Sequence, residues 1–177
     1  MMGQDAEKSR IAENIVVYQD CRISVQTLNE ATNTLRRKTK MSLDAIGEVI
    51  QDLRNLVTVH SLSEAVYNRG WTIIQRYGLS TYDAMILGCA IENGIDTVLS
   101  EDMQDGQEFF SGLVKVINPF KIPDPDGTYW MLTGDVEKSP EQNTDREETK
   151  KGIEWELFWI NYWRMYVGMD IQPLSLY

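Results

Sequence analysis

Residues 79–106 read Leu79-Ser-Thr-Tyr-Asp-Ala-Met-Ile-Leu-Gly-Cys-Ala-Ile-Glu-Asn-Gly-Ile-Asp-Thr-Val-Leu-Ser-Glu-Asp-Met-Gln-Asp-Gly106. Ser80 is a good N-cap, Met85, Ile86, Cys89 and Ala90 form an apolar helical face, and Gly94 is a stop signal. Thr97-Val-Leu99 is an apolar run too short for a helix and bounded by turn residues, so it reads as a buried strand. The strand empties into the acidic turn Ser100–Gly106. In open parallel α/β sheets ligands bind where strands end at their carboxyl edge. Carboxylates placed there, with Asp83 in the first turn of the preceding helix, suggest a site for a hard cation.

Working outward, the same alternation recurs on the amino-terminal side. Ile11, Ile15 and Tyr18 fall at helical spacing between Ala6 and Tyr18. Cys21–Val25 reads as a short strand, and a helix from about Gln26 to Lys38 turns Leu28, Ala31 and Leu35 inward. Ser42 caps a further helix whose stripe is Leu43, Ile46, Val49, Ile50, Leu53 and Leu56, followed by a strand at Val57–His60. Ser61-Leu-Ser-Glu64 has the spacing of a capping box and opens a helix that stops at Gly78. Beyond the acidic turn, Val114–Ile117 is a last strand before Asn118-Pro119. Helices alternating with short apolar strands indicate an α/β fold with a parallel sheet flanked by helices.

After Phe120 the character changes. Residues 121–146 read as a Pro/Asp/Gly linker and a polar loop, within which Thr128–Thr133 has the composition of one strand. In residues 147–177, Trp155, Phe158, Trp159, Tyr162, Trp163 and Tyr166 form an aromatic stripe at helical spacing, expected to continue to Asp170. Such a stripe suits docking on the body of the protein, on a partner or on a second copy. Charged residues interrupt it too often for a membrane span.

The formal net charge of −10 opposes broad attraction to nucleic acid. It leaves room for a nuclease, whose metal-binding carboxylates contribute to that count. A single histidine, His60, leaves histidine-pair or serine–histidine chemistry poorly supplied. His60 itself follows an apolar run and reads as structural. Cys21 and Cys89 lie in apolar contexts, which suggests reduced, buried thiols in a cytoplasmic protein rather than a disulfide framework. No apolar run is long enough to span a membrane.

The phrase Tyr82-Asp-Ala-Met-Ile86, followed by Leu99-Ser-Glu-Asp-Met-Gln-Asp-Gly106, resembles the second half of a PIN domain. The likeness extends from about Ala6 to Phe120 and takes in Ile23–Glu30 and Val116–Phe120. It implies a three-layer α/β fold over residues 1–120 and a Mg²⁺-dependent endoribonuclease, with Mn²⁺ as a substitute, of the toxin–antitoxin type. An RNA substrate, an antitoxin partner, a homodimer and a cytoplasmic location come with it. Carried over residue by residue, Glu30 matches the family's helix glutamate, Asp83 its helix-start aspartate and Asp102 the aspartate after the fourth strand. Asp105 would be an outer member of the metal site, and Ser100 would orient the Asp102 turn. Arg36, Arg37 and Lys38 suit the helix dipole, and equally a contact to RNA phosphates or to an antitoxin's acidic segment.

One part of the family pattern is missing. A PIN domain begins with a central strand ending in Asp-x-Asn, and Met1–Asp5 holds neither the strand nor the motif. Unpaired edges in mid-sheet are costly. The explanations are a degraded remnant with weakened or lost activity, a gap filled by another segment such as Tyr129–Leu132, or a strand donated by a partner. A non-catalytic binding module that docks through the aromatic tail is the competing reading.

Overall fold

The computed structural model describes residues 8, 10–12, 15–16 and 21–121, and the backbone of 167–169. The linker from residue 122 to 146, the segment Tyr129–Leu132 and the aromatic residues from Trp155 to Tyr166 lie outside the described residues.

Residues 8, 10–12 and 15–16 are helical. Then follow β1 (Cys21–Ser24), α1 (Val25–Lys38), α2 (Leu43–Leu56), β2 (Thr58–His60), α3 (Glu64–Tyr77) and α4 (Thr81–Glu92). β3 (Thr97–Leu99), β4 (Glu108–Phe109), β5 (Val114–Ile117) and β6 (Val167–Met169) complete the set. Each of α1 to α4 begins at a serine whose hydroxyl accepts a backbone N–H in the first turn: Ser24, Ser42, Ser63 and Ser80. Such caps satisfy one of the amides that a helix start leaves without a partner. The cap of α3 is Ser63, not Ser61, and its Oγ accepts from Val66 N. Glu64 therefore stands at the first helical position and closes no capping box. α3 ends at Gly78, whose φ of 70° is the left-handed geometry glycine tolerates best.

The sheet runs β2-β1-β6-β3-β5-β4. β1 and β2 are parallel, as are β3 and β5, whereas β4 is antiparallel to β5 and β6 is antiparallel to both neighbours. Adjacent strand residues face opposite sides of a sheet. Here Val98 and Val116 join a core with Ile73, Leu87 and Phe109 on one side. Leu99 and Ile117 pack on the other with Ile23, Ala31, Leu53 and Val16. The result is three layers. α4 is buried from Ala84 to Ala90, apolar all round, as befits a helix covered by both sheet and α3.

Val167–Met169 correct the tail reading. These residues form a strand, not the end of a helix, and they occupy the slot between β1 and β3 where the family's first strand was expected. The filler is thus β6 rather than Tyr129–Leu132. Any short segment with free backbone donors and acceptors can satisfy two facing strand edges. In the sequence the aromatic spacing up to Tyr166 gave no sign of a strand at Val167.

Candidate active site

Three chain crossings converge at the carboxyl edge of the parallel strands. β1 ends at Ser24 and feeds directly into α1, which carries Glu30 one and a half turns in. β3 ends at Leu99 and runs into Ser100 and the turn holding Asp102. The start of α4 brings Asp83 alongside. Glu30, Asp83 and Asp102 line one cleft of about 860 Å³, together with Arg37, Tyr82 and the polar face of α1.

Local hydrogen bonds hold the carboxylates of Asp83 and Glu30 and the backbone of Asp102. Ser80 Oγ accepts from Asp83 N at 3.2 Å and donates to Asp83 Oδ2 at 2.8 Å, so Asp83 serves the cap and the cleft at once. Gln26 Nε2 donates to Glu30 Oε1 at 2.9 Å. Ser100 is buried, and its Oγ accepts from the amides of Asp102 and Met103, both at 3.2 Å. These two bonds close a small turn directly after β3.

Asp105 stands apart from this group. Its Oδ1 accepts from Asn118 N at 2.8 Å, which ties the acidic turn to the end of β5, and it does not line the cleft. Of the basic triplet only Arg37 reaches the cleft; Arg36 and Lys38 are exposed in the same last turn of α1. Glu101 pairs with Lys8 at 2.8 Å. Gln26, Asn29, Thr32, Asn33 and Thr34 also line the cleft and were not marked out as site residues in the sequence, and Tyr82 was marked only as part of the phrase around Asp83. The spacing of Asn29, Asn33 and Arg37 at i, i+4 and i+8 was the available signal, since it puts all three on one helix face.

The carboxylates, hard oxygen donors, match in chemistry a divalent ion such as Mg²⁺. Their geometry is more open than a closed cage. Among the described residues no three Asp, Glu, His or Cys side chains come close enough together to hold one ion. The set fits an ion that keeps much of its water and touches one or two carboxylates. β6 itself, Val167–Met169, contains no carboxylate. Val167 faces Leu99 and Met169 faces Thr97, so β6 enters at the carboxyl edge and leaves at the opposite one. A parallel strand would instead deliver its downstream residues to the cleft.

The two cysteines are free and buried. Burial pushes the Cys89 thiol up to about 11, against a smaller downward pull from its hydrogen bond with Asn93. His60 is lowered, first by burial and then by the Arg22 charge, and its Nε2 has no hydrogen-bond partner among the described residues. Neither group faces the cleft.

The PIN domain family model matches residues 3–104, more than half of the chain. The chain belongs to the PIN domain family. The matched span covers Glu30, Asp83, Ser100 and Asp102 and stops just short of Asp105. PIN domains have a nuclease-type fold, generally act on RNA and typically bind divalent metals. No curated protein matches the chain. Among the described residues no helix is long and apolar enough to cross a membrane.

Proposed function

We propose that this PIN domain is a divalent-metal-dependent endoribonuclease of the toxin type, in which Glu30, Asp83 and Asp102 bind Mg²⁺ or Mn²⁺, one or two of them directly and the rest through the ion's own water. The observation that carries this reading is the meeting of three carboxylates from three separate elements in one cleft with a cation, Arg37, along its wall. A divalent ion bound there would acidify water and neutralise charge developing on a phosphoryl group. The chain's own residues do the positioning. Ser80 fixes Asp83, Ser100 fixes the Asp102 turn, and Gln26 holds one oxygen of Glu30. Arg37, the one cation among the described residues that line the cleft, offers an RNA phosphate a charge-assisted contact beside the three carboxylates. Asp105 acts as an anchor for the turn, and as an outer metal residue only through it.

Because no three of the described acidic side chains come close enough together to share one ion, turnover is expected to be weak. The toxin-type reading brings with it an acidic antitoxin segment that competes for Arg36, Arg37 and Lys38, a homodimer, and action in the cytoplasm. The open geometry of the carboxylates supports a second reading, a PIN fold that binds RNA or a partner without cutting.

The deciding experiment is cleavage of end-labelled RNA by the purified chain with Mg²⁺, with Mn²⁺ and with chelator. Metal-dependent cleavage that falls about tenfold or more in folded Asp83→Asn and Asp102→Asn supports the nuclease. Unchanged cleavage in both variants refutes the site. A folded wild type that cuts nothing favours the second reading.

A further inference from the structure

Beside the carboxylates, the cleft is lined by polar and aromatic side chains that the metal chemistry does not use. On α1, Asn29, Asn33 and Arg37 are all exposed and follow one another at single-turn intervals along the cleft. Tyr82, 61% exposed, lines the same cleft from the start of α4. None of these four side chains makes a hydrogen bond or ion pair with another described residue. Two primary amides, a guanidinium and an open aromatic ring in one groove make a set of distinct chemistry. A phenol ring offers a face on which any unpaired base can stack. An amide presents a donor and an acceptor side by side, the pattern that pairs with adenine N6 and N7. Arginine at the end of the row suits a backbone phosphate. Asn29 to Arg37 span about 12 Å of helix axis, the reach of roughly three stacked bases.

We infer that this set selects the sequence: Tyr82 stacks an unpaired base, Asn29 and Asn33 read adenine edges, and Arg37 holds the adjoining phosphate. The inference rests on the nuclease reading for its ligand class, and it adds which residues set the preference and which base they prefer. A base inside a duplex offers no free face to Tyr82, so duplex RNA is excluded.

The test is fluorescence anisotropy of the full chain with labelled single-stranded A, U and C oligoribonucleotides and a duplex, in chelator. The A strand should bind about tenfold or more tighter than U or C, one good bidentate pair being worth that much. The Asn29→Ala, Asn33→Ala double variant should bring A down to the level of U and C. Tyr82→Ala should weaken all single strands by about fivefold or more, while Tyr82→Phe keeps them. Arg37→Ala should weaken every sequence alike and reduce the salt slope by about 1. Melts establish that each variant is folded. Equal binding of duplex and single strands, no binding by the folded wild type, or unchanged binding in Tyr82→Ala and the double variant each overturns the inference. If the A preference appears but no metal supports cleavage, the nuclease reading falls and this set keeps its role. If cleavage is metal-dependent and indifferent to these substitutions, the reverse holds.

Discussion

Gly88 and Gly70 bring α4 and α3 together backbone to backbone. A methyl group at Gly88 would stand 2.9 Å from the Gly70 amide nitrogen and 2.9 Å from the Val66 carbonyl oxygen. Neither atom can rotate away, so the helices would have to part. Gly88→Ala is expected to destabilise the chain by about 1–3 kcal/mol, the usual range for overpacking. Because α4 carries Asp83 in its first turn, the cleft should suffer with it. Gly47, in α2 with open space around it, is the control. There the same change should stabilise by about 0.5–1 kcal/mol by removing backbone freedom from the unfolded chain. Urea unfolding of the two variants should give shifts of opposite sign.

Ser100 holds two amides with one buried oxygen. Ser100→Ala leaves both donors without that acceptor, at a cost of about 1–3 kcal/mol. The consequence for the site should exceed the loss of stability. Under conditions where the variant is still fully folded, metal-dependent RNA cleavage should drop, since the Asp102 turn has lost its internal support. Cleavage at the wild-type rate by a folded Ser100→Ala would show that the turn keeps its shape without the hydroxyl.

How much of this was legible in the sequence follows from what each element rests on. Local chemistry was readable: Ser80 and Ser42 as caps, Gly78 as a stop, Thr97–Leu99 as a strand. Asp83 and Asp102 stood at a cap and a strand end, positions that ordinary structural aspartates also take, and it was the resemblance to the PIN family that singled them out, with Glu30, as site residues. Three features depended on facts no local pattern carries. Two serines competed for the cap of α3, and Ser63 prevailed over the box spacing of Ser61 and Glu64. β4 is two residues long and exists because Phe109 and Val114 are paired across a left-handed turn at Phe110, Ser111 and Gly112. β6 owes its conformation to the open edges of β1 and β3, so its own sequence says little about it. Asn29 and Asn33 carry no local signal of a site, and only the fold puts them in one cleft with Tyr82.

His60 supplies a pH prediction of definite sign. It is the chain's one histidine, so its ring signals in a proton NMR titration are unambiguous. Burial and Arg22 lower its pKa, and the midpoint should fall below the ordinary 6.5. A lowered folded-state value means that the native state prefers the neutral ring. This contribution to stability is present above pH 6.5 and is lost as the pH falls through the folded pKa. Between pH 7 and pH 5 the urea midpoint of the wild type should therefore decline more steeply than that of His60→Leu. Equal declines would mean that the imidazole is as well solvated in the fold as outside it.

The last prediction concerns the strand that completes the sheet. Among the described residues β1 and β3 are joined by no backbone ladder except the one β6 makes to each. Gly168 sits at the middle of that strand, facing Arg22 on one side and Val98 on the other. Proline there removes an N–H from a strand paired on both edges, a position proline does not tolerate. Gly168→Pro should cost about 1–3 kcal/mol for the group left without a partner, and more if β6 detaches entirely. The effect should be local before it is global. β1 carries α1 and hence Glu30, while β3 carries the Asp102 turn, so losing the bridge loosens two walls of the cleft relative to each other. Native-state hydrogen exchange would show it: amides in β1 and β3, Ile23 and Val98 among them, should exchange faster in the variant. Those of α3, which pack on α4 without help from β6, should not change. If β1 and β3 stay as protected in Gly168→Pro as in the wild type, β6 does not hold the halves of the sheet together, and some other segment must satisfy their edges.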